Sequence, residues 1–195
     1  MEVSKQQDAK YDQMTKTPVE KLVCALAVPS IIIMMISALY NMADTYFVAA
    51  LGTSAIAGVG VVFPLMTIIQ ALGFFFGHGS GSYIARQMGA RRAGQASRMA
   101  ATGFVIALLF GVLISLSGTG FIKRLAEILG STETILPYAC DYMFFILLGS
   151  PWMLGAITLN CQLRYQGNAI SGLIGMTSGA LLNIALDPLL IFVFK

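Results

Sequence analysis

The stretch "MAATGFVIALLFGVLISLSGTGFI", residues 99–122, contains no charged side chain. An apolar run longer than about 18 residues can cross a bilayer as a helix. The runs 45–85, 142–163 and 165–186 are uncharged as well. Charged residues make up 11% of the chain, where a soluble domain has about 25%, and mean hydropathy is +0.79. The sequence therefore predicts an all-α polytopic membrane protein.

The apolar runs divide the chain into a short tail and one membrane domain. We expect a cytoplasmic N-terminal tail at 1–20, which is mostly polar, and a membrane domain over 21–195. The Gly73/Gly77 and Gly175/Gly179 pairs have the spacing of small residues that lets membrane helices approach closely. Five transmembrane helices are predicted, at about 22–48, 54–77, 99–119, 138–161 and 168–194.

The distribution of basic residues predicts the orientation. With the N-terminus inside, nine Lys and Arg residues fall on the cytoplasmic side and three outside. The net charge of +3 then reflects topology and contact with anionic lipid, and the chain is not expected to bind nucleic acid. We expect a multi-pass protein of the cell (plasma) inner membrane. The inside set is Lys5, Lys10, Lys16, Lys21, Arg86, Arg91, Arg92, Arg98 and Arg164; the outside set is Lys123, Arg124 and Lys195.

Two aspartates lie inside the predicted spans at a similar depth. Asp44 is about seven residues before the outer end of the first span, and Asp187 is about eight before the end of the fifth. An Asp in the middle of a membrane helix costs about 2.5–3.5 kcal/mol on insertion scales, and such residues are usually functional. Pairing within the helix bundle is the alternative for Asp187. Two carboxylates at one depth on different helices predict a shared, polar cavity.

Polar neighbours accompany each aspartate. Asn183 precedes Asp187 by one helical turn, and Pro188 leaves a backbone carbonyl without its helical partner. Tyr40 lies four residues before Asp44. Carboxylate, amide and carbonyl oxygens suit a proton or a small hard cation, so Na⁺ at Asp44, Asn183 and Asp187 is one possibility and H⁺ the other.

Three other polar residues were also considered. Asn160 in the fourth span is a coupling residue or an interhelical hydrogen-bonding residue. Asp141, after Pro137, is expected to be interfacial, where the start of a helix favours an anion. The single histidine, His78, is a proton relay or, more in keeping with its place at the end of the second span, an interfacial residue.

Three stretches together resemble the MATE (multidrug and toxic compound extrusion) family: "VPSIIIMMISALYNMADTYFVAALGTSAIAGVGVVFPL", "ARQMGARRAGQASR" and "LNIALDPLLIF". The resemblance covers roughly 18–195. It implies the first five helices of a six-helix N-lobe of a twelve-helix transporter, which exchanges external Na⁺ or H⁺ for organic, often cationic, substrates. One further helix and a C-terminal lobe would then be absent, and we expect this chain to be a fragment.

The resemblance also assigns roles to individual residues. Asp44, with Tyr40 one turn earlier, matches the first-helix part of the family's N-lobe cation site. Asn183 and Asp187 match the part on the fifth helix. Three further matches are Tyr142 and Asn160 on the fourth helix and Pro29, whose bend the family uses in its cycle.

The predicted function is a cation-coupled antiporter that exports organic drugs or toxic compounds, which are expected to be cationic, with no cofactor besides the coupling ion. Pro29 and Pro188 are the expected helix hinges. A lipid-linked precursor flippase of related architecture is the alternative, but the spans lack the Lys and Arg of a basic cavity. An enzyme is not expected. Hydrolysis would need a nucleophile–base pair or a metal cluster within the spans, but they contain no Glu, and the only His is expected at an interface.

Overall fold

The computed structural model describes residues 18–49 and 52–193. Within these ranges it leaves out the side chains of 22, 26, 29, 37, 40, 41, 43, 44, 47–49, 55 and 183–193. The described residues form six helices joined by short turns: α1 (Val19–Ala49), α2 (Thr53–Gly89), α3 (Ala93–Gly120), α4 (Ile122–Ile128), α5 (Leu136–Tyr165) and α6 (Ala169–Val193).

The five long helices confirm the predicted all-α membrane fold. Among the described residues, four helices are long and apolar enough to cross a bilayer: α1 to α3 and α5. In α6, side chains are described only for Ala169–Leu182, and this stretch is apolar but shorter than a membrane span. The tail at 1–17 lies outside the described residues, so its cytoplasmic placement stays a prediction.

Two features of the helices differ from the predicted spans. The second span is predicted to end near 77, whereas α2 continues to Gly89. The third span is predicted to begin near 99, whereas α3 begins at Ala93. Loss of hydrophobicity marks where a chain leaves the membrane, and a helix can continue past that point in the headgroup region. The short helix α4 was not predicted; its buried Ala126 packs into the core.

Close contacts fix the directions of the central helices. Along α2, Gly58, Gly73 and Gly77 approach Tyr138, Ile157 and Cys161 of α5 in that order, so α2 and α5 run parallel. Along α3, Gly103, Gly111 and Gly118 approach Gln162, Pro151 and Leu147, so α3 runs antiparallel to both. The helix α1 packs mainly against α6, beside this three-helix bundle.

The buried core is narrow and most of the apolar surface faces outward. Val62 and Ile69 of α2 and Met143, Leu147 and Leu154 of α5 form its centre. Large apolar side chains such as those of Phe75, Leu116 and Trp152 are exposed. In water such a surface would drive association, but in a bilayer it faces lipid chains.

Candidate functional site

The helices that carry the two predicted aspartates are neighbours. Asp44 lies in α1 and Asp187 in α6, and these two helices pack against each other. Asp44 is five residues before Ala49 and Asp187 six before Val193, so each lies about 8–9 Å from the described end of its helix. The fold is therefore compatible with a shared site at the level of the helices.

The side chains of this site lie outside the described residues. This holds for Tyr40 and Asp44 on α1 and for Asn183 and Asp187 on α6. It holds for the two expected hinges, Pro29 and Pro188, as well. Their roles stay predictions.

Tyr142 is half-buried near the start of α5. Its hydroxyl lies 3.8 Å from the sulfur of Met66 on α2, and its side chain packs against the hydrophobic core. The contact joins the two parallel helices of the bundle. A role for Tyr142 in coupling stays a prediction.

Asn160 is half-buried near the other end of α5. Its Nδ2 donates a hydrogen bond to the backbone carbonyl of Gly172 on α6, at 3.2 Å. A side chain at position 172 would come within 3.0 Å of the same amide nitrogen. The contacts of Asn160 therefore support its interpretation as an interhelical hydrogen-bonding residue.

Tyr142 and Asn160 cannot bind one ion together. Eighteen residues of a continuous helix separate them, which is about 27 Å along the axis. A small cation has ligands within about 2.6 Å. If both residues act in coupling, they act at opposite ends of α5.

A polar junction that the sequence did not single out joins α2, α3 and α5. The Nε2 of Gln162 donates to Ser80 Oγ at 2.9 Å and to the carbonyl of Ala100 at 3.2 Å. Gln162 is 1% exposed and Ser80 4%. The Oε1 of Gln162 is buried and has no hydrogen-bond partner among the described residues.

A second polar contact joins α3 and α5 at a proline. Pro151 interrupts the hydrogen bonding of α5, and the hydroxyl of Ser150 donates to the carbonyls of Leu147 at 2.8 Å and Gly111 at 3.0 Å. Pro151 also packs directly on Gly111. Ser150 thereby satisfies the carbonyl of Leu147, which the proline leaves without its usual donor.

His78 takes part in a third contact, between α2 and α5. Its Nδ1 lies 3.2 Å from the hydroxyl of Tyr165, and its ring stacks on Phe74 with 5.7 Å between centroids. The ring of Tyr165 packs directly on Gly81. The stretch 77–89 is helical, and Gly77 and Gly81 allow the close approach of α5.

One sequence signal could have revealed these contacts. Ser150 and Thr158 lie within the fourth predicted span and Gln162 lies just after it. Their spacings of eight and four place these polar residues near one helix face. All three are buried. Polar residues on one face of a membrane helix indicate the side that packs against other helices.

The comparisons with known proteins agree with this architecture. The MatE family model matches residues 29–189. The FAD transporter of Shewanella oneidensis is 31% identical over 179 residues, and the multidrug export protein MepA of Staphylococcus aureus is 29% identical over 180. Each alignment covers 92% of this chain and 40% of the relative.

A solved structure shows the same fold. A MOP superfamily transporter from Pyrococcus furiosus superposes with a TM-score of 0.88 at 32% identity, covering 94% of this chain and 40% of that one. It is described as having a binding pocket of reverse polarity that suggests a different function. The chain thus spans about 40% of the length of these relatives. From the family match, the helical membrane fold and this coverage, the chain belongs to the MATE family and has the fold of its N-terminal lobe.

Proposed function

We propose that this chain forms the N-terminal lobe of a cation-coupled exporter of small organic molecules. Membership of the MATE family supports it, as does the relative named as a multidrug export protein. The structural observation that best supports the proposal is that α1 and α6, which contain Asp44 and Asp187, pack side by side. The C-terminal lobe found in such transporters would supply the opposite wall of the substrate cavity.

Coupling in this proposal rests on a difference in ion affinity between two states of the lobe. A ligand shifts a conformational equilibrium only if it binds the two states unequally. Two neighbouring helices with one carboxylate each provide that difference if a bend of α1 at Pro29 changes the distance between Asp44 and Asp187. Asn183 would contribute an amide oxygen to the ion-bound state.

The two candidate ions and the substrate class can be separated by transport measurements. Efflux driven by an imposed Na⁺ gradient at constant pH would identify Na⁺; efflux driven only by a pH gradient would identify H⁺. We propose organic cations as substrates, and a cationic dye and FAD are suitable test compounds. The relative named as an FAD transporter and the Pyrococcus protein with its reversed pocket polarity make that comparison necessary.

The carboxylates are tested by amide substitution. We expect Asp187→Asn and Asp44→Asn to reduce coupled efflux of a cationic dye at least about tenfold, because an amide can neither bind a proton nor balance a cation. Asp141→Asn is the matched control: Asp141 is exposed near the start of α5 and should leave efflux within about twofold of wild type. Each substitution is made in a transporter with both lobes, efflux is measured as dye loss from energised cells, and the membrane levels of the variants are compared. Unchanged efflux in Asp187→Asn would refute the site.

A further inference from the structure

A group of polar side chains, exposed on α2 and half-buried on α5, lies where α2 and α5 end together. It comprises His78, Ser82 and Arg86 of α2 with Tyr165 of α5, and we call it the α2–α5 exit patch. The three α2 residues follow at intervals of four and share one helix face. Ser82 Oγ bonds the carbonyl of His78 at 2.8 Å, and Arg86 Nε bonds the carbonyl of Ser82 at 3.4 Å. The side chain of Arg86 therefore folds back toward His78.

The depth of the patch matches a lipid headgroup. At the other end of the same pair of helices, Gly58 lies beside Tyr138, a residue type that is common at membrane interfaces. Twenty residues of α2 separate Gly58 from His78, about 30 Å, which equals the thickness of the hydrocarbon core. Ser82 then lies about 6 Å farther out, among headgroups, and the guanidinium of Arg86 folds back to that level.

The apolar part of the same face lies one turn deeper. Phe74 stacks on His78, and Phe75 beside it is 70% exposed. Both rings lie at the level of acyl chains. This face therefore has aromatic rings at the depth of the acyl chains and hydrogen-bond donors at the depth of the headgroups, which matches the polarity of a phospholipid.

The three bundle helices bring only positive charge to the patch. The chain contains no Asp or Glu from 45 to 126 or from 142 to 186. Arg91 and Arg92 follow in the turn after α2, and Arg164 precedes Tyr165. All three cations lie at this end of the bundle. Because the parts of α2, α3 and α5 at this end fall within the two ranges without Asp or Glu, none of these helices brings an acidic side chain to it.

We propose that the exit patch binds the phosphate of an anionic phospholipid. The guanidinium of Arg86 carries five N–H donors, and its bond to Ser82 uses only one nitrogen. If the hydroxyl of Tyr165 donates to Nδ1 of His78, the imidazole proton is on Nε2, which then donates from an exposed ring. Charge-assisted bonds from Arg to phosphate supply the affinity, and Phe74 and Phe75 contact the acyl chains. The site depends on the membrane fold and not on the proposed transport activity.

Native mass spectrometry of the full chain in a nonionic detergent tests this site. Phosphatidylglycerol and phosphatidylcholine with the same acyl chains are added separately, and bound lipid is counted per protein. We expect phosphatidylglycerol to bind about fivefold tighter or more, and Arg86→Gln to remove most of that preference, since each basic residue near a membrane surface contributes about 1 kcal/mol, or about fivefold. Phosphatidylcholine binding should stay unchanged.

Matched variants separate a defined site from general attraction. Arg98→Gln removes the same charge from an exposed position on α3 and should retain the preference. Tyr165→Phe keeps the ring on Gly81 and removes the hydroxyl; it should reduce the preference without changing thermal stability in phosphatidylcholine by more than a few degrees. Equal losses in Arg86→Gln and Arg98→Gln would overturn the proposal, as would equal binding of the two lipids. Displacement of bound phosphatidylglycerol by inorganic phosphate at constant ionic strength would instead identify a free phosphate site, and would also overturn it.

Discussion

Gln162 illustrates, at the scale of a single residue, what a polar side chain does inside a membrane bundle. Its Nε2 bonds a hydroxyl on α2 and a carbonyl on α3, so one amide group connects three helices. Its Oε1 has no partner among the described residues, and a buried acceptor without a donor destabilises a fold. Hydrogen bonds between membrane helices contribute about 0.6 kcal/mol on average. The net contribution of Gln162 is therefore small despite its central position.

Two substitutions at this residue should differ sharply. Gln162→Leu keeps the side-chain volume and removes the unpaired acceptor, so we expect a change in stability of about 1 kcal/mol or less. Gln162→Glu would place a carboxylate against the Ala100 carbonyl, and we expect a loss of about 3 kcal/mol or more. Thermal unfolding in detergent at neutral pH measures both. Equal destabilisation by the two variants would contradict this account.

At the scale of the element, the α2–α5 contact depends on glycines spaced by four. Gly73, Gly77 and Gly81 lie against Ile157, Cys161 and Tyr165, which are also spaced by four. A Cβ at Gly77 would lie 2.7 Å from Cys161 Cβ, closer than packing allows. Gly79 lies on another face: no described atom of a neighbouring helix is within 4 Å of a Cβ built there. The same residue type therefore has different roles two positions apart.

Alanine at these two positions is a matched test of the helix contact. Gly77→Ala must push α2 and α5 apart, and overpacking of this kind costs about 1–3 kcal/mol. Gly79→Ala adds a methyl group in open space and should be neutral or stabilising by up to about 1 kcal/mol, because alanine favours the helix. The comparison is made by thermal unfolding of each variant in the same detergent. A Gly77→Ala protein as stable as wild type would mean that the helices are not in contact there.

At the scale of the whole molecule, the placement of apolar side chains is set by the lipid. Glycine and small polar residues fill much of the interior, whereas Phe75, Leu116 and Trp152 face outward. Lipid chains are as apolar as leucine, so burial of leucine provides little driving force between helices, and close backbone approach takes its place. The α1–α6 pair packs less extensively on the bundle than α2, α3 and α5 do on one another. A pair with fewer contacts is suited to the movement that the proposed export would require.

The orientation of the molecule gives a prediction at this scale. In a background without the native cysteines, Arg91→Cys in the α2–α3 turn should react with a membrane-impermeant maleimide only after the cells are permeabilised. Thr132→Cys, exposed in the turn before α5, should react in intact cells. The expectation follows from the nine-to-three distribution of basic residues. The opposite labelling pattern would show that the N-terminus lies outside.

The sequence by itself determined the fold class, the approximate spans and the resemblance to the MATE family. Each of these depends on local composition. A run such as 99–122 is apolar whatever surrounds it, and its transfer from water into the hydrocarbon core of a bilayer is favourable. The helix ends were less predictable, because hydrophobicity stops at the membrane surface while α2 continues to Gly89. The aspartates were identified from their energetic cost inside a span, which also needs no knowledge of neighbours.

Only the tertiary structure decided which residues meet. The sequence left Asn160 between a coupling and an interhelical role, and its bond to Gly172 displays the second. It did not single out Gln162 and Ser150, and it did not pair His78 with Tyr165, a contact that spans 87 residues of the chain. Such contacts depend on which face of each helix turns toward another, and many faces of a helix in lipid are compatible with its composition. The close approach at the glycines of α2 selects one of them.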